Sequence, residues 1–186
     1  MQEIQEIAGG HMQETPPLPD VPLFERLDRE EREELGELLE SVSFGPGEML
    51  IEEGKKDEKL YVLTSGTVEV YKQVIPRRDQ LLATIEAPSV VGEMGLLTEL
   101  RAAASVVAKT AVEAHGIQRD RFLSMLDAES PAAYKVVYEL GKTLAGRMSR
   151  TDDSIAKIIP QLECANRRGS RDLNIFQDKL IEEWSF

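Results

Sequence analysis

A mainly β fold, an antiparallel sandwich, barrel or jelly roll with helices at both ends, is what the sequence predicts. Two observations carry that reading. Between Ser43 and Gln118, short apolar runs are cut by Gly47, Gly54, Gly66 and Gly92, the punctuation of short strands joined by turns. On either side of this stretch, apolar residues recur every three and four positions, which is the helical period.

The N-terminal helical region spans Pro22 to Val42, with Phe24, Leu27, Leu35, Leu38 and Val42 on one face. Asp28 and Glu31 have capping-box spacing, so a second helix is expected to start there. The acids Glu30, Glu31, Glu33, Glu34, Glu37 and Glu40 lie among arginines and are read as a solvated face. Strands are then expected at Glu48–Glu52, Leu60–Leu63, Thr67–Val74, Gln80–Ile85, Val90–Val91, Ala103–Lys109 and Val112–Ile117. Within Thr67–Val74, alternation puts Val68, Val70 and Lys72 on one side. A short helix follows at Arg119–Leu126, and a long one starts at Pro131, a residue suited to a first helical turn.

The long helix carries a narrow seam. Tyr134, Val137, Gly141, Leu144, Met148, Thr151, Ile155 and Ile158 alternate by three and four residues, up to a stop expected before Pro160. A helix packed on its own sheet usually shows a wider stripe. The seam is therefore read as a parallel homodimer surface in preference to intramolecular packing. The remaining 160–186 is a tail with one amphipathic segment, Leu173, Phe176, Leu180, Ile181 and Trp184. The expected division is a flexible lead over 1–21, a jelly-roll domain over 22–130, a dimerisation helix over 131–159 and the tail.

Composition narrows the function. Of 186 residues, 41% are hydrophobic and 30% charged, a balance suited to a packed core. Lys and Arg number 22 against 34 Asp and Glu, for a formal charge of -12. So acidic a chain is a poor partner for a phosphate backbone or an anionic membrane, and neither DNA nor membrane is expected. Cys164 stands alone, and His11 and His115 lie far apart. Disulfide scaffolds, thiolate metal sites and His-rich metal centres are thereby excluded. No Ser–His–acid or Cys–His set appears, so no catalysis and no metal are expected. No apolar run approaches the roughly 18 residues of a spanning helix. The first ten residues lack the basic and apolar regions of a signal peptide. The expected compartment is the cytoplasm, and residues 1–12 include a Gly-Gly-His-Met stretch that resembles a cloning scar.

One segment carries chemistry: Val90-Val91-Gly92-Glu93-Met94-Gly95-Leu96-Leu97-Thr98-Glu99-Leu100-Arg101. A strand ends at Gly92, and a helical turn follows whose first N–H groups suit a phosphate. Glu93 suits the hydroxyls of a ribose, and Arg101 offers a guanidinium to an anion. Taken locally, a second reading stays open, with Gly92 as a bulge and Glu93 as a surface acid paired with Arg101.

The order of elements, with the pieces PLFERL, FGPGEMLIEEGKKDEKLYVLTSGTVEVYK and VVGEMGLLTELRAAASVVA, resembles the cyclic nucleotide-binding domain family over Pro22 to Ile159. That family includes the catabolite activator protein and the regulatory subunit of protein kinase A. The resemblance implies a β jelly roll of the cupin-like double-stranded β-helix type, with cAMP or cGMP as ligand. It implies a phosphate-binding cassette formed by Val91, Gly92, Glu93, Met94, Gly95, Leu96, Arg101, Ala103, Ala104 and Ser105. Amides from Gly92 to Leu96 would face the cyclic phosphate, Glu93 would take the ribose 2′-hydroxyl, and Ser105 would lie near phosphate or base. It also implies a dimer through the long helix (Val137, Gly141, Leu144, Met148, Thr151 and Ile155), with Thr151 as cap on the base.

The family cassette reads Pro-Arg-Ala-Ala-Thr/Ser where this chain reads Arg101-Ala102-Ala103-Ala104-Ser105. The arginine is one position early, and one position on a strand reverses the face. Only 26 residues follow Pro160, fewer than a helix-turn-helix domain needs. The expected function is a non-enzymatic cyclic nucleotide sensor that signals through the C-terminal helix to a protein partner. The alternative is a dimeric adaptor of the same fold that binds no ligand.

Overall fold

The computed structural model describes residues 18–56, 58–75 and 78–166. His11, the Arg167, Arg168 and Arg171 cluster and the Leu173–Trp184 segment lie outside the described residues. The chain divides into two units, Met1–Leu140 and Gly141–Phe186.

The first unit opens with a 3-10 turn, Pro22–Phe24, and helix α1, Arg29–Gly36. The capping box forms: the Asp28 carboxylate accepts from the Glu31 amide, and the Glu31 carboxylate accepts from the Asp28 amide. Eight strands follow, interrupted by one short helix. They are β1 Leu39–Phe44, β2 Met49–Ile51, β3 Lys59–Ser65, β4 Thr67–Ile75, β5 Arg78–Glu86, β6 Ser89–Val91, β7 Ser105–Ala108 and β8 Val112–Gln118. The short helix α2, Glu93–Leu97, joins β6 to β7. Helices α3, Arg119–Asp127, and α4, Pro131–Asn166, close the order.

The strands form two antiparallel sheets, β1-β8-β3-β6 and β2-β7-β4-β5. That order is a jelly roll, in which every connection except β4–β5 crosses from one sheet to the other. Alternation along each strand supplies two faces. Tyr61, Leu63, Val91, Val112 and Ala114 from the first sheet gather with Val68, Val106 and Ala108 from the second. The opposite face of the first sheet, Leu60, Val62, Val90 and Ile117, packs with Phe24, Leu35, Phe122, Ala132, Ala133, Val136 and Leu140. Burial on both faces explains why β3 reads as an unbroken apolar run. Each fully buried side chain of this size contributes about 1.5–3 kcal/mol.

Three expectations change. Residues 39–42, read as helical, belong to β1, which pairs with β8 from Leu39↔Ile117 to Phe44↔Val112. Val42 and Phe44 alternate with Ser41 and Ser43, and the free edge of β8 overrides a weak helical preference. The acidic face is only partly solvated. Glu31 receives the Lys135 ammonium at 2.5 Å, and Glu34 accepts from the Ser130 hydroxyl at 3.1 Å, so α1 is tied to the start of α4. Finally, α4 continues through Pro160 to Asn166. Proline can adopt a helical φ, at the cost of one N–H and of crowding between its ring and the carbonyl one turn earlier.

Candidate functional site

The site is built where β6 ends. Gly92 sits at φ +87°, and a Cβ there would lie 2.4 Å from the Lys59 carbonyl oxygen and 3.3 Å from Ile51 Cδ1. Only glycine adopts that φ readily while letting the backbone pass this close to β3. The turn then buries Glu93 as the first residue of α2 and sends Leu96 into the helix-side core. The Leu96 amide donates to the Gly92 carbonyl at 3.1 Å. Thr98 ends the helix by returning its hydroxyl to the Met94 carbonyl at 2.7 Å.

The chain next meets the turn after β2. Ala102 exchanges backbone hydrogen bonds with it, its amide to the Lys55 carbonyl and its carbonyl from the Gly54 amide, both at 2.8 Å. The Ala102 methyl packs against the inter-sheet cluster. Arg101 is exposed, and its Nη1 donates to the Gly54 carbonyl at 2.9 Å. One register position thus separates the inward methyl from the guanidinium on the neighbouring turn. Ala103 is exposed, Ala104 is half-buried, and Ser105 Oγ accepts from the Glu53 amide at 3.0 Å.

Residues 41–129 match the cyclic nucleotide-binding domain family. This segment is a cyclic nucleotide-binding domain. The chain is 32% identical over 126 residues to the cAMP-dependent protein kinase regulatory subunit of Pyricularia oryzae, covering 68% of this chain and 32% of that protein. The chain thus spans about a third of that relative's length. A solved cyclic nucleotide-binding domain from Methylobacillus flagellatus superposes with a TM-score of 0.66 at 25% identity, over 70% of this chain and 74% of that one. The regulatory subunit of a cAMP-independent protein kinase A from Trypanosoma cruzi, solved bound to guanosine, superposes with a TM-score of 0.55 at 29% identity. That match covers 69% of this chain and 47% of that one.

In this cyclic nucleotide-binding domain, Val91, Gly92 and Ile51 meet at the interior face, with Glu93 buried beside them. Met94 is 40% exposed and Gly95 half-buried. Two residues that the sequence reading did not assign to the site stand against the cassette. The Lys72 ammonium lies 2.7 Å from Glu53 Oε1 and 2.5 Å from the Ala103 carbonyl. Glu53 Oε2 accepts from the Gln73 amide at 2.9 Å. Lys72, and then the Gln73 amide, hold the Glu53 carboxyl below the usual carboxylate range. The alternation of β4 already placed Lys72 beside Val68 and Val70; Glu53 gave no comparable signal. A cavity of about 270 Å³ opens beside the same turn, lined by Met49, Leu50, Glu52, Lys55, Lys56 and Tyr61. Both its lysines are paired, Lys55 with Glu52 at 2.7 Å and Lys56 with Glu58 at 2.6 Å.

The remaining assigned residues lie on α4. Val137, in the first unit, is half-buried against the helix-side core, whose main α4 contribution is Ala132, Ala133, Val136 and Leu140. Tyr134 and Tyr138 stay more than half exposed, and Arg26 stacks over the Tyr138 ring at 4.9 Å. In the second unit, Gly141, Met148 and Thr151 are exposed and Leu144 and Ile155 half-buried. The Thr151 hydroxyl donates to the Arg147 carbonyl at 3.0 Å. His115 lies on β8, its Nδ1 3.5 Å from Ser41 Oγ, and burial pushes its pKa down. Among the described residues no group of three or more His, Cys, Asp or Glu is placed to hold a metal. No described helix is long and apolar enough to cross a membrane.

Proposed function

We propose that the chain is a non-catalytic regulatory module of the cytoplasm that holds a ribose-bearing ligand of the cyclic nucleotide class. It passes occupancy on through 131–159, where α4 pairs with a second copy. The observation that carries this reading is the Gly92–Glu93 turn. A left-handed glycine pressed onto β3 is followed directly by a buried glutamate, within a segment that matches the family. A buried carboxylate is an acceptor for the ribose 2′-hydroxyl, the one sugar hydroxyl that cAMP or cGMP leaves free. The relatives named for cAMP and the relative bound to guanosine support a ligand built on ribose. Regulatory subunits among the relatives support a role without catalysis and an output through a protein partner. Ligand shifts the helix equilibrium by its differential affinity for two states. Cys164, the chain's lone cysteine, suits a reducing compartment.

Calorimetry with cAMP and cGMP tests the reading. Saturable binding by either, abolished by Glu93→Ala in a folded protein, supports it. Absence of heat at millimolar ligand removes cyclic nucleotides from it. One observation favours the ligand-free adaptor as a second reading: the Arg101 guanidinium is bonded to Gly54 on the exposed turn.

A further inference from the structure

Beyond Leu140, α4 carries a narrow apolar stripe. Met148 is 62% exposed, Leu144 and Ile155 are half-buried, and a Cβ added at Gly141 would meet nothing within 4 Å. The flanks of this stripe are basic. From Gly141 to Arg150 the helix carries Lys142, Arg147 and Arg150 and no acid, with Asp152 and Asp153 following. A second copy in parallel register sets the same cations side by side, and flanking charges of one sign oppose pairing.

The chain itself carries a segment of the opposite sign. Over 172–186 the acids Asp172, Asp178, Glu182 and Glu183 outnumber the single base, Lys179. Leu173, Phe176, Leu180, Ile181 and Trp184 recur there at helical spacing. Laid antiparallel on α4 with Leu173 level with Ile155, the segment sets Leu180 level with Met148 and Trp184 level with Leu144. Asp178, Glu182 and Glu183 then fall level with 145–150, among Lys142, Arg147 and Arg150, while Asp152 and Asp153 fall level with the uncharged stretch 173–177. The connection reaches. Ile155 lies about 16 Å back along α4 from Asn166, neighbouring helices lie about 8–10 Å apart, and the links from Asn166 to Leu173 span about 23 Å when extended. We infer that 172–186 docks along 141–155 of α4 and competes there with a second copy, so that the segment sets how tightly the module self-associates. The inference rests on the reading that this face pairs two copies, and it goes further by naming what holds that pairing in check.

Trp184 is the chain's one tryptophan, so its fluorescence reports on the segment directly. In the full chain, diluted until sedimentation shows a monomer, acrylamide quenches Trp184 at least three-fold less than in the same chain unfolded by urea. Met148→Asp, checked for folding by melting and circular dichroism, restores quenching toward the unfolded value. Leu82→Asp, at a site on β5 that is 57% exposed, leaves the shielding as it was. Leu180→Asp also restores quenching, and in sedimentation equilibrium it tightens dimerisation at least ten-fold because the segment no longer competes. Quenching as full as in urea overturns the inference, as does shielding that Met148→Asp fails to relieve or that Leu82→Asp relieves. A dimer no tighter with Leu180→Asp than without it overturns the inference as well. In each of these cases a dimer of the unaltered chain that Met148→Asp disrupts leaves the pairing of two copies standing. An unaltered chain that is monomeric at every concentration overturns both.

Discussion

Replacing Gly92 by alanine separates two costs that this fold imposes at the cassette. The first is conformational. At φ +87° an L side chain is strained, at about 1–2 kcal/mol, reduced by about 0.4–1 kcal/mol because alanine restricts the unfolded chain. The second is steric. The new Cβ would stand 2.4 Å from the Lys59 carbonyl oxygen, which cannot yield cheaply. Lys59 pairs with Gln118 in the β3–β8 ladder, and the neighbouring Glu58 carbonyl accepts from the Arg119 amide at 2.7 Å. Forcing such a contact costs about 1–3 kcal/mol. Gly47 is the control, since it also sits at φ +87° but has nothing within 4 Å of its added Cβ. Gly47→Ala therefore loses about 0–1.5 kcal/mol, and Gly92→Ala loses about 1–3 kcal/mol more than that. Urea unfolding of both variants at a common m-value measures the difference. Equal losses, within about 0.5 kcal/mol, would refute the close passage of β6 over β3 and with it the placement of Glu93.

Four other outcomes follow from the same structure. Glu129 is a non-glycine residue at φ 57°, between α3 and α4, so Glu129→Gly raises stability by up to about 1.5 kcal/mol in the same urea assay; a loss would contradict the assigned turn. Lys72 holds the Glu53 carboxyl below its ordinary range. The pair's contribution is therefore whole above that range and disappears as pH falls through the depressed value, and Glu53→Gln flattens the acid limb of the urea midpoint against pH. An acid limb unchanged by the substitution would show the pair to be without effect. Leu140, fully buried in the helix-side core, loses about 2–5 kcal/mol on truncation to alanine. Met148, 62% exposed, carries the proposed self-association instead. Met148→Asp changes the stability of the isolated chain by no more than about 0.5 kcal/mol and weakens dimerisation at least ten-fold in sedimentation equilibrium. A monomer before the substitution, or an undisturbed dimer after it, refutes the seam.

Much of the fold was written in local pattern. Turn glycines, strand alternation and a sustained three-four period are short-range signals, and they named seven strands, the capping box at Asp28 and Glu31, and the start of α4 at Pro131. The eighth strand escaped because Leu39 to Val42 satisfies a helical stripe as well as a strand. The partner that settles the matter, β8, lies some seventy residues further on. The face that the start of α4 turns to the core was not read from the sequence for a related reason. Ala132 and Ala133 are small enough to look incidental in sequence, yet they allow the helix to lie close on the core beside Val136 and Leu140. At the cassette, the sequence located Gly92, Glu93 and the displaced arginine, because spacing within one loop needs no tertiary knowledge.

What the chain dictates alone is local pattern, and local pattern fixed the jelly roll, the position of the Gly92–Glu93 turn and the shift of arginine by one register. What only the packed molecule decided is electrostatic. Whether Arg101 reached inward depended on the Gly54 carbonyl that receives it, and the partnership of Glu53 with Lys72 joins the turn after β2 to β4, 19 residues apart. Charge acts through distance in space, with a range of ångströms, and no regularity along the backbone encodes which distant side chains will stand that close.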